Sequence, residues 1–128
     1  MNLLLDTHAF LWFIAADTSL SQTARQAIED PANTCWLSVA SLWEMTIKVG
    51  LGRLTVPLPI QRLVREHVLG NGIQALHLQP EHLDQLRLLP THHKDPFDRL
   101  LIAQSITENM TLLSKDRHFS SYPIAVLW

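Results

Sequence analysis

Four acidic residues, Asp6, Glu44, Asp98 and Asp116, stand where the chain's pattern expects the carboxyl end of a strand or the opening turns of a mostly apolar helix. The first closes the run Leu3-Leu4-Leu5 and is followed at once by a helical pattern from Ala9 to Ile14. A carboxylate that ends a buried strand faces the crevice above the sheet, where open α/β folds bind their ligands. Carboxylate oxygens are the donors that hard divalent cations such as Mg2+ prefer. A cation held by several of them can acidify a water and neutralise a phosphate, so metal-dependent nuclease chemistry is the expectation for this set.

Each acid also has a plainer reading. In Asp95-Pro96-Phe97-Asp98, Asp95 takes the N-cap position, Pro96 the first helical position and Asp98 the third. Asp98 could then serve only the positive end of a helix dipole, and Asp95 is read as a cap rather than a ligand. Glu44 could pair with Lys48 one turn on, worth about 0.3 to 0.5 kcal/mol. Leu42, Trp43, Met45, Ile47 and Val49 spread apolar surface almost all round that helix, however, and such a helix is expected to be buried. A carboxylate inside it requires a partner, either a metal ion or Lys48. Asp116 follows Thr111-Leu112-Leu113-Ser114-Lys115 and could simply end a solvated turn. Ser114 could bond a carboxylate or a water, or cap the turn at Arg117-His118-Phe119.

The elements that must position these residues alternate along the chain. Residues 2 to 5 read as a buried strand, 8 to 15 as a helix, and 20 to 29 as a helix that Ser21 could cap. Thr34 to Leu37 is a short strand, and Ser38 begins a helix through Val49 that stops at Gly50 and Gly52. Pro57 and Pro59 lead to a helix over 60 to 69, closed by Gly70-Asn71-Gly72. Ile73 to Leu78 is a strand, Pro80 opens a helix through Leu89, and Pro90 to Lys94 is a loop. A helix covers 96 to 108, with strands at Thr111 to Leu113 and Ile124 to Leu127. Strands alternating with helices imply a mainly parallel sheet covered on both faces.

At 128 residues, 47% hydrophobic and 17% charged, the chain is expected to form one domain, 1 to 128, with its own core. Cys35 is the single cysteine and lies in an apolar run, which suits a reducing cytoplasm. The longest apolar run, Ala9 to Ala16, falls far short of the roughly 20 residues that span a bilayer. No basic start resembling a secretion signal precedes it, so a soluble cytoplasmic protein is expected. The formal charge of -2 leaves no basic footprint for a nucleic acid. Two Mg2+ ions at the acids would reverse its sign where a polyanion has to approach.

Asp6-Thr7-His8 with Leu11-Trp12, Ser38 to Glu44, His93 to Gln104, and Ser114-Lys115-Asp116 with Phe119 and Tyr122 together resemble a PIN-domain protein, in order and over nearly the whole chain. Within that family the chain resembles the VapC-like toxins of bacterial toxin-antitoxin pairs. The segment 93 to 104 is the most specific part. The resemblance implies a three-layer α/β/α sandwich, dependence on Mg2+ or Mn2+, and endonucleolytic cleavage of RNA leaving 5′ phosphate and 3′ hydroxyl ends. It carries the metal-binding role to Asp6, Glu44, Asp98 and Asp116, and a supporting hydroxyl role to Ser114, where many relatives have Thr. It also implies a small antitoxin that wraps the protein and blocks the acidic site with a basic or aromatic side chain. Lys48, Lys94 and Arg99 are the candidates for phosphate contacts, with solvated or helix-paired roles as the alternative.

Other functions fit less well. A phosphoacceptor receiver domain would want an acidic pair at the first strand, where Thr7 stands beside Asp6. A haloacid-dehalogenase-like phosphatase would want a second Asp two positions on, which is His8. An inactive PIN-like module that only binds a partner remains an alternative. Zinc is not expected, because the adjacent His92 and His93 seldom reach one ion and Cys35 has no ligand-spaced neighbour. His8 follows Asp6 closely and could touch substrate or the groups that support the acids, with packing as its default role. Trp43, Met45, Val49, Leu51 and Leu54 offer more apolar surface than one helix face needs, so a homodimer is expected. With few basic residues and no evident aromatic base-stacking motif, the expected substrate is a structured RNA with unpaired loops.

Overall fold

The computed structural model describes residues 1–128. In chain order its regular elements are β1 (Asn2–Leu5), α1 (Thr7–Ile14), α2 (Gln22–Glu29), β2 (Thr34–Ser38), α3 (Val39–Gly50), α4 (Ile60–Leu63), β3 (Gln74–Leu76), α5 (Pro80–Leu88), α6 (Pro96–Glu108), β4 (Thr111–Leu113) and β5 (Val126–Leu127). The five strands form one sheet in the order β3-β2-β1-β4-β5, and every neighbouring pair is parallel.

Successive residues of a strand face opposite sides of the sheet, and this pleat sorts the leucines into two cores. Leu3 and Leu5 of β1, Cys35 and Leu37 of β2 and Leu113 of β4 pack with Ala9 and Phe10 of α1, Ala24 of α2, Met45 of α3 and Leu63 of α4. On the other face Leu4, Leu76 and Leu112 pack with Leu101, Ile102 and Ala103 of α6. The result is the expected three-layer α/β/α sandwich. Each fully buried leucine contributes about 1.5 to 3 kcal/mol, so the central strand β1, with all three of its leucines inaccessible, anchors both layers.

Capping fixes where the helices begin. Ser21 accepts from the Ala24 N–H at 3.0 Å, as its position suggests, and Ser38 accepts from the Ala40 N–H at 3.1 Å. Helix α1 starts at Thr7, one residue earlier than expected, because Asp6 itself is the N-cap.

Three expectations are corrected. The outer strands β3 and β5 are shorter than 73 to 78 and 124 to 127, since each pairs on one side only. The helix expected over 60 to 69 is α-helical only to Leu63; a wider turn over Val64–Val68 and a tight one over Leu69–Asn71 follow, closed by Gly72 at φ 71°, a conformation that glycine adopts without strain. Helix α3 is not buried all round: Ala40, Ser41, Glu44 and Met45 face inward, while Trp43 (60% exposed), Ile47 and Val49 face outward. Met45 is fully buried and Leu54 packs on the core, so of the apolar surface expected there, Trp43, Val49 and Leu51 are what remains outside.

Candidate active site

The strand order turns at β1: one half of the sheet grows from it through β2 to β3, the other through β4 to β5. Ligands of open parallel sheets bind beyond the carboxyl ends of the strands at such a reversal. Asp6 follows β1 and Ser114 follows β4, and these two ends are stitched together. The Asp6 N–H donates to the Leu113 carbonyl at 3.1 Å, and the Ser114 hydroxyl donates to Asp6 Oδ2. Ser114 Oγ in turn accepts from the Asp116 N–H at 3.0 Å, so it does not cap the following turn; Asp116 does, accepting from the His118 N–H at 2.9 Å.

The choice between cap and ligand dissolves at these residues, because a carboxylate has two oxygens. Asp6 uses Oδ1 to accept from the Ala9 N–H at 2.8 Å, and Asp116 uses Oδ1 for His118. Asp95 accepts from the N–H groups of Phe97 and Asp98 at 2.9 and 3.0 Å, as a cap should. That leaves Asp98, in the first turn of α6, with its own carboxylate unspent on the cap.

Glu44 projects from the inner face of α3 and is only 4% exposed. Its Oε1 accepts from the Thr7 hydroxyl at 2.6 Å and its Oε2 from the Lys48 ammonium. The partner that a buried carboxylate requires is therefore present. One cleft of about 170 Å3 is lined by Asp6, Glu44, Asp98 and Asp116, together with Asp95 and Lys48. The four acids singled out in the sequence thus meet in one place.

Their proximity has an electrostatic cost. Burial, then repulsion from Asp95, Glu44, Asp6 and Asp116, pushes the Asp98 carboxyl up to about 7. Burial likewise raises Asp6, against the pull of its bonds from Ser114 and Ala9. For Asp116 burial also acts upward, but the hydrogen bonds from His118 and the charges of His118 and His93 outweigh it and hold the group below the ordinary carboxylate range. Lys48 is raised first by its bond to Glu44 and further by Asp95 and Asp98.

The basic candidates separate. Lys48 lies in the cleft. Lys94 is exposed and shares a shallow depression with His92, His93, Asp95 and His118. Arg99 is turned elsewhere: its guanidinium donates to the carbonyls of Pro90, His93 and Leu89 at 2.9, 3.4 and 3.5 Å. These bonds brace the loop before α6.

Two features were missed in the sequence. His93 Nε2 lies 3.1 Å from Asp98 Oδ2 and 3.8 Å from Asp116 Oδ2, a group of ligand atoms within 4.8 Å of one another. The loop that carries it is fastened by Tyr122, whose hydroxyl accepts from the His93 N–H at 2.8 Å and donates to the Pro90 carbonyl at 3.1 Å. The available signal was its place two residues before the N-cap Asp95, whose N–H donates to His93 Nδ1 at 3.2 Å. The second feature is aromatic. His8 is exposed rather than packed, and its ring sits 5.7 Å from Trp12 beside the acids.

The family model described as PIN domain matches residues 3–125. The chain is 28% identical over 122 residues to Ribonuclease VapC22 of Mycobacterium tuberculosis (strain ATCC 25618 / H37Rv), an overlap of 94% of this chain and 92% of that protein. Among solved structures, VapBC2 from Rickettsia felis, bound to a DNA fragment from its promoter, superposes with a TM-score of 0.73 at 18% identity, over 99% of this chain and 98% of that one. VapBC-5 of Mycobacterium tuberculosis, from the VapBC family of toxin-antitoxin systems, gives 0.60 at 17% identity, over 98% and 95% of the two chains. At those identities the likeness is one of fold.

Proposed function

The chain belongs to the PIN-domain family, and we propose that it is a Mg2+- or Mn2+-dependent endoribonuclease, the toxin of a toxin-antitoxin pair. The observation that carries this reading is the cleft shared by Asp6, Glu44, Asp98 and Asp116 at the point where the strand order reverses. Four carboxylates brought together where burial, then the neighbouring charges, pushes Asp98 up to about 7 form a site that a divalent cation would relieve. The four acids fit a hard cation, supplying oxygen at high negative charge, with the His93 imidazole 3.1 Å from Asp98 Oδ2.

In this reading Asp6, Glu44, Asp98 and Asp116 hold the cation. When bound, it supplies Lewis-acid activation of water and offsets charge on the phosphate. The remaining work falls to residues that orient the acids. Ser114 fixes Asp6; Thr7 and Lys48 fix Glu44; Asp95 orders the first turn of α6 beneath Asp98. Lys48 and Lys94 contact RNA phosphates. No side-chain nucleophile is required, and attack by water gives products expected to end in 5′ phosphate and 3′ hydroxyl.

The partners proposed are RNA, a small antitoxin protein and a second copy of the chain. The antitoxin is suggested by the toxin-antitoxin complexes that share the fold. The second copy would cover Trp43, Val49 and Leu51. No helix is long and apolar enough to cross a membrane, and a cytoplasmic protein is the proposal.

The test is an RNA cleavage assay in Mg2+ and in EDTA, with Asp98→Asn as the control. That substitution keeps the shape and removes a charge, so the folded variant should show no cleavage. Cleavage that survives both EDTA and Asp98→Asn would sink the proposal. Metal binding without cleavage of any RNA would favour the inactive binding module.

A further inference from the structure

Beside the acidic cleft lies a second cavity of about 330 Å3, lined by Asp6, His8, Trp12, Lys115 and Asp116. It shares His8 and Trp12 with an adjoining groove of about 550 Å3, whose lining is otherwise mainly apolar. His8 and Trp12 therefore line both the acidic cavity and the mainly apolar groove. The Trp12 indole is braced: Trp128 packs edge-on against it at 5.9 Å and 63°, and His8 lies tilted at 5.7 Å. Lys115 Nζ sits 5.9 Å from the centre of the Trp12 ring. An exposed cation beside an aromatic face matches the chemistry of a nucleotide, which carries a planar base and a phosphate.

We propose that Trp12, His8 and Lys115 form a nucleotide subsite, in which the base of an unpaired RNA residue next to the scissile phosphate stacks on the Trp12 indole while the adjoining backbone phosphate meets Lys115. The inference rests on the nuclease reading and deepens it. Stacking on an aromatic side chain tolerates any base, because every base has a π face, and Lys115, the one lysine lining this cavity, offers the adjoining phosphate a counter-charge beside Asp6 and Asp116. A braced ring loses little freedom when a base covers it, so more of the contact is retained as affinity. A paired base has both faces covered and cannot enter; the subsite selects single strands.

The experiment uses the wild-type protein in Ca2+, a cation that also takes oxygen ligands, with a fluorescein-labelled octauridylate read by anisotropy and checked intact on a gel. Trp12→Ala should weaken binding about tenfold, within the range that loss of one base stack produces, and Trp12→Phe should restore most of it. Lys115→Met should flatten the salt dependence by roughly 0.7 in slope, the share of one phosphate on a single strand. One abasic site walked along the octamer should reproduce the Trp12→Ala loss at one position and add nothing further in the Trp12→Ala protein. If Trp12→Ala fails to fold, Trp12→Leu and the abasic walk on the parent protein decide the matter. Unchanged affinity in a folded Trp12 variant, or no abasic position that matters, would overturn the subsite while leaving the nuclease reading intact. A Trp12 variant that keeps RNA but loses the antitoxin would assign the groove to a protein tail and overturn it too. A parent protein with no affinity for RNA would instead defeat the nuclease reading.

Discussion

Ser114 and Asp6 are 108 residues apart in sequence and meet through one hydrogen bond, from the serine hydroxyl to Asp6 Oδ2. The same Ser114 oxygen accepts the Asp116 N–H, so one buried hydroxyl ties two of the four acids to each other and β4 to β1. Parallel pairing of those strands brings Leu5 level with Leu113, which puts the next residues, Asp6 and Ser114, side by side.

Ser114→Ala should therefore lower Mg2+ affinity and RNA cleavage together, by about 10- to 100-fold, the usual effect of removing a group that holds a ligand in place. Ser114→Thr keeps the hydroxyl and should lose little. Isothermal titration with Mg2+ measures the first effect and single-turnover cleavage the second. Wild-type metal affinity in the alanine variant would show that Asp6 needs no orienting partner.

The sheet was legible because its strands are short apolar runs that end at polar residues, as Leu3-Leu4-Leu5 ends at Asp6. Asp6 and Asp116 were legible for the same reason, and Asp98 by its place in the turn that Asp95-Pro96 opens. What stayed hidden depends on contacts between distant segments. His93 looked like a loop residue until Tyr122, 29 positions on, was seen to hold its backbone. Arg99 looked like a free cation until its carbonyl acceptors were seen in the loop before α6. In α3 composition misled: an apolar residue such as Trp43 can lie outside as readily as inside, and only packing decides which.

The pH dependence of the metal-free protein follows from Asp98. Its carboxyl titrates at about 7 when folded against an ordinary value of 3.8, so between those two values the folded chain binds more protons than the unfolded one. Stability should fall as pH rises through that window and then level off; Asp6 acts in the same direction. Asp116, lowered when folded, acts oppositely but only below its ordinary value. Mg2+ competes with the Asp98 proton, so its affinity should climb about tenfold per pH unit up to pH 7. Thermal melts at pH 5, 6, 7 and 8, with and without Mg2+, read both trends. A metal-induced rise in Tm that is equal at pH 5 and pH 8 would contradict the assignment.

Asp95 combines a cap with a charge, and two substitutions separate them. Asp95→Ala removes the acceptor of the Phe97 and Asp98 N–H groups and should lower stability by about 0.5 to 2 kcal/mol. Asp95→Asn caps as well as aspartate does, so stability should hold. Because Asp95 is the largest charge acting to raise Asp98, the Asn variant should also bring the Asp98 titration down. Carbonyl NMR of Asp98 across pH reports that shift, and an unmoved titration would mean that burial and the charges of Glu44, Asp6 and Asp116 set it without Asp95.

The outward face of α3 bears on assembly. Trp43 and Leu51 are 60% and 61% exposed, and Val49 lies beside them in sequence. Light scattering should give a mass of two chains, and the pair Trp43→Ser, Leu51→Lys should give one, with the fold unchanged. A monomeric parent protein would leave this face to the antitoxin instead.

Substrate choice is the last expectation. The acids sit at a sheet edge where Lys48 is the one cation in the cleft, so affinity for a regular phosphate lattice should be weak and the reaction should depend on how one phosphate is presented. A-form duplex holds its bases in a stack and keeps its deep groove closed to side chains, whereas a loop splays its bases and turns a phosphate outward. Cleavage should therefore concentrate in the loop of a stem-loop RNA and be at least about tenfold slower on the fully paired strand of the same sequence, a ratio that one lost base stack already supplies. Denaturing gels of both substrates in Mg2+ give the two rates and the position cut. Equal rates, or faster cutting of the duplex, would mean that the fold reads a helical backbone rather than an exposed loop.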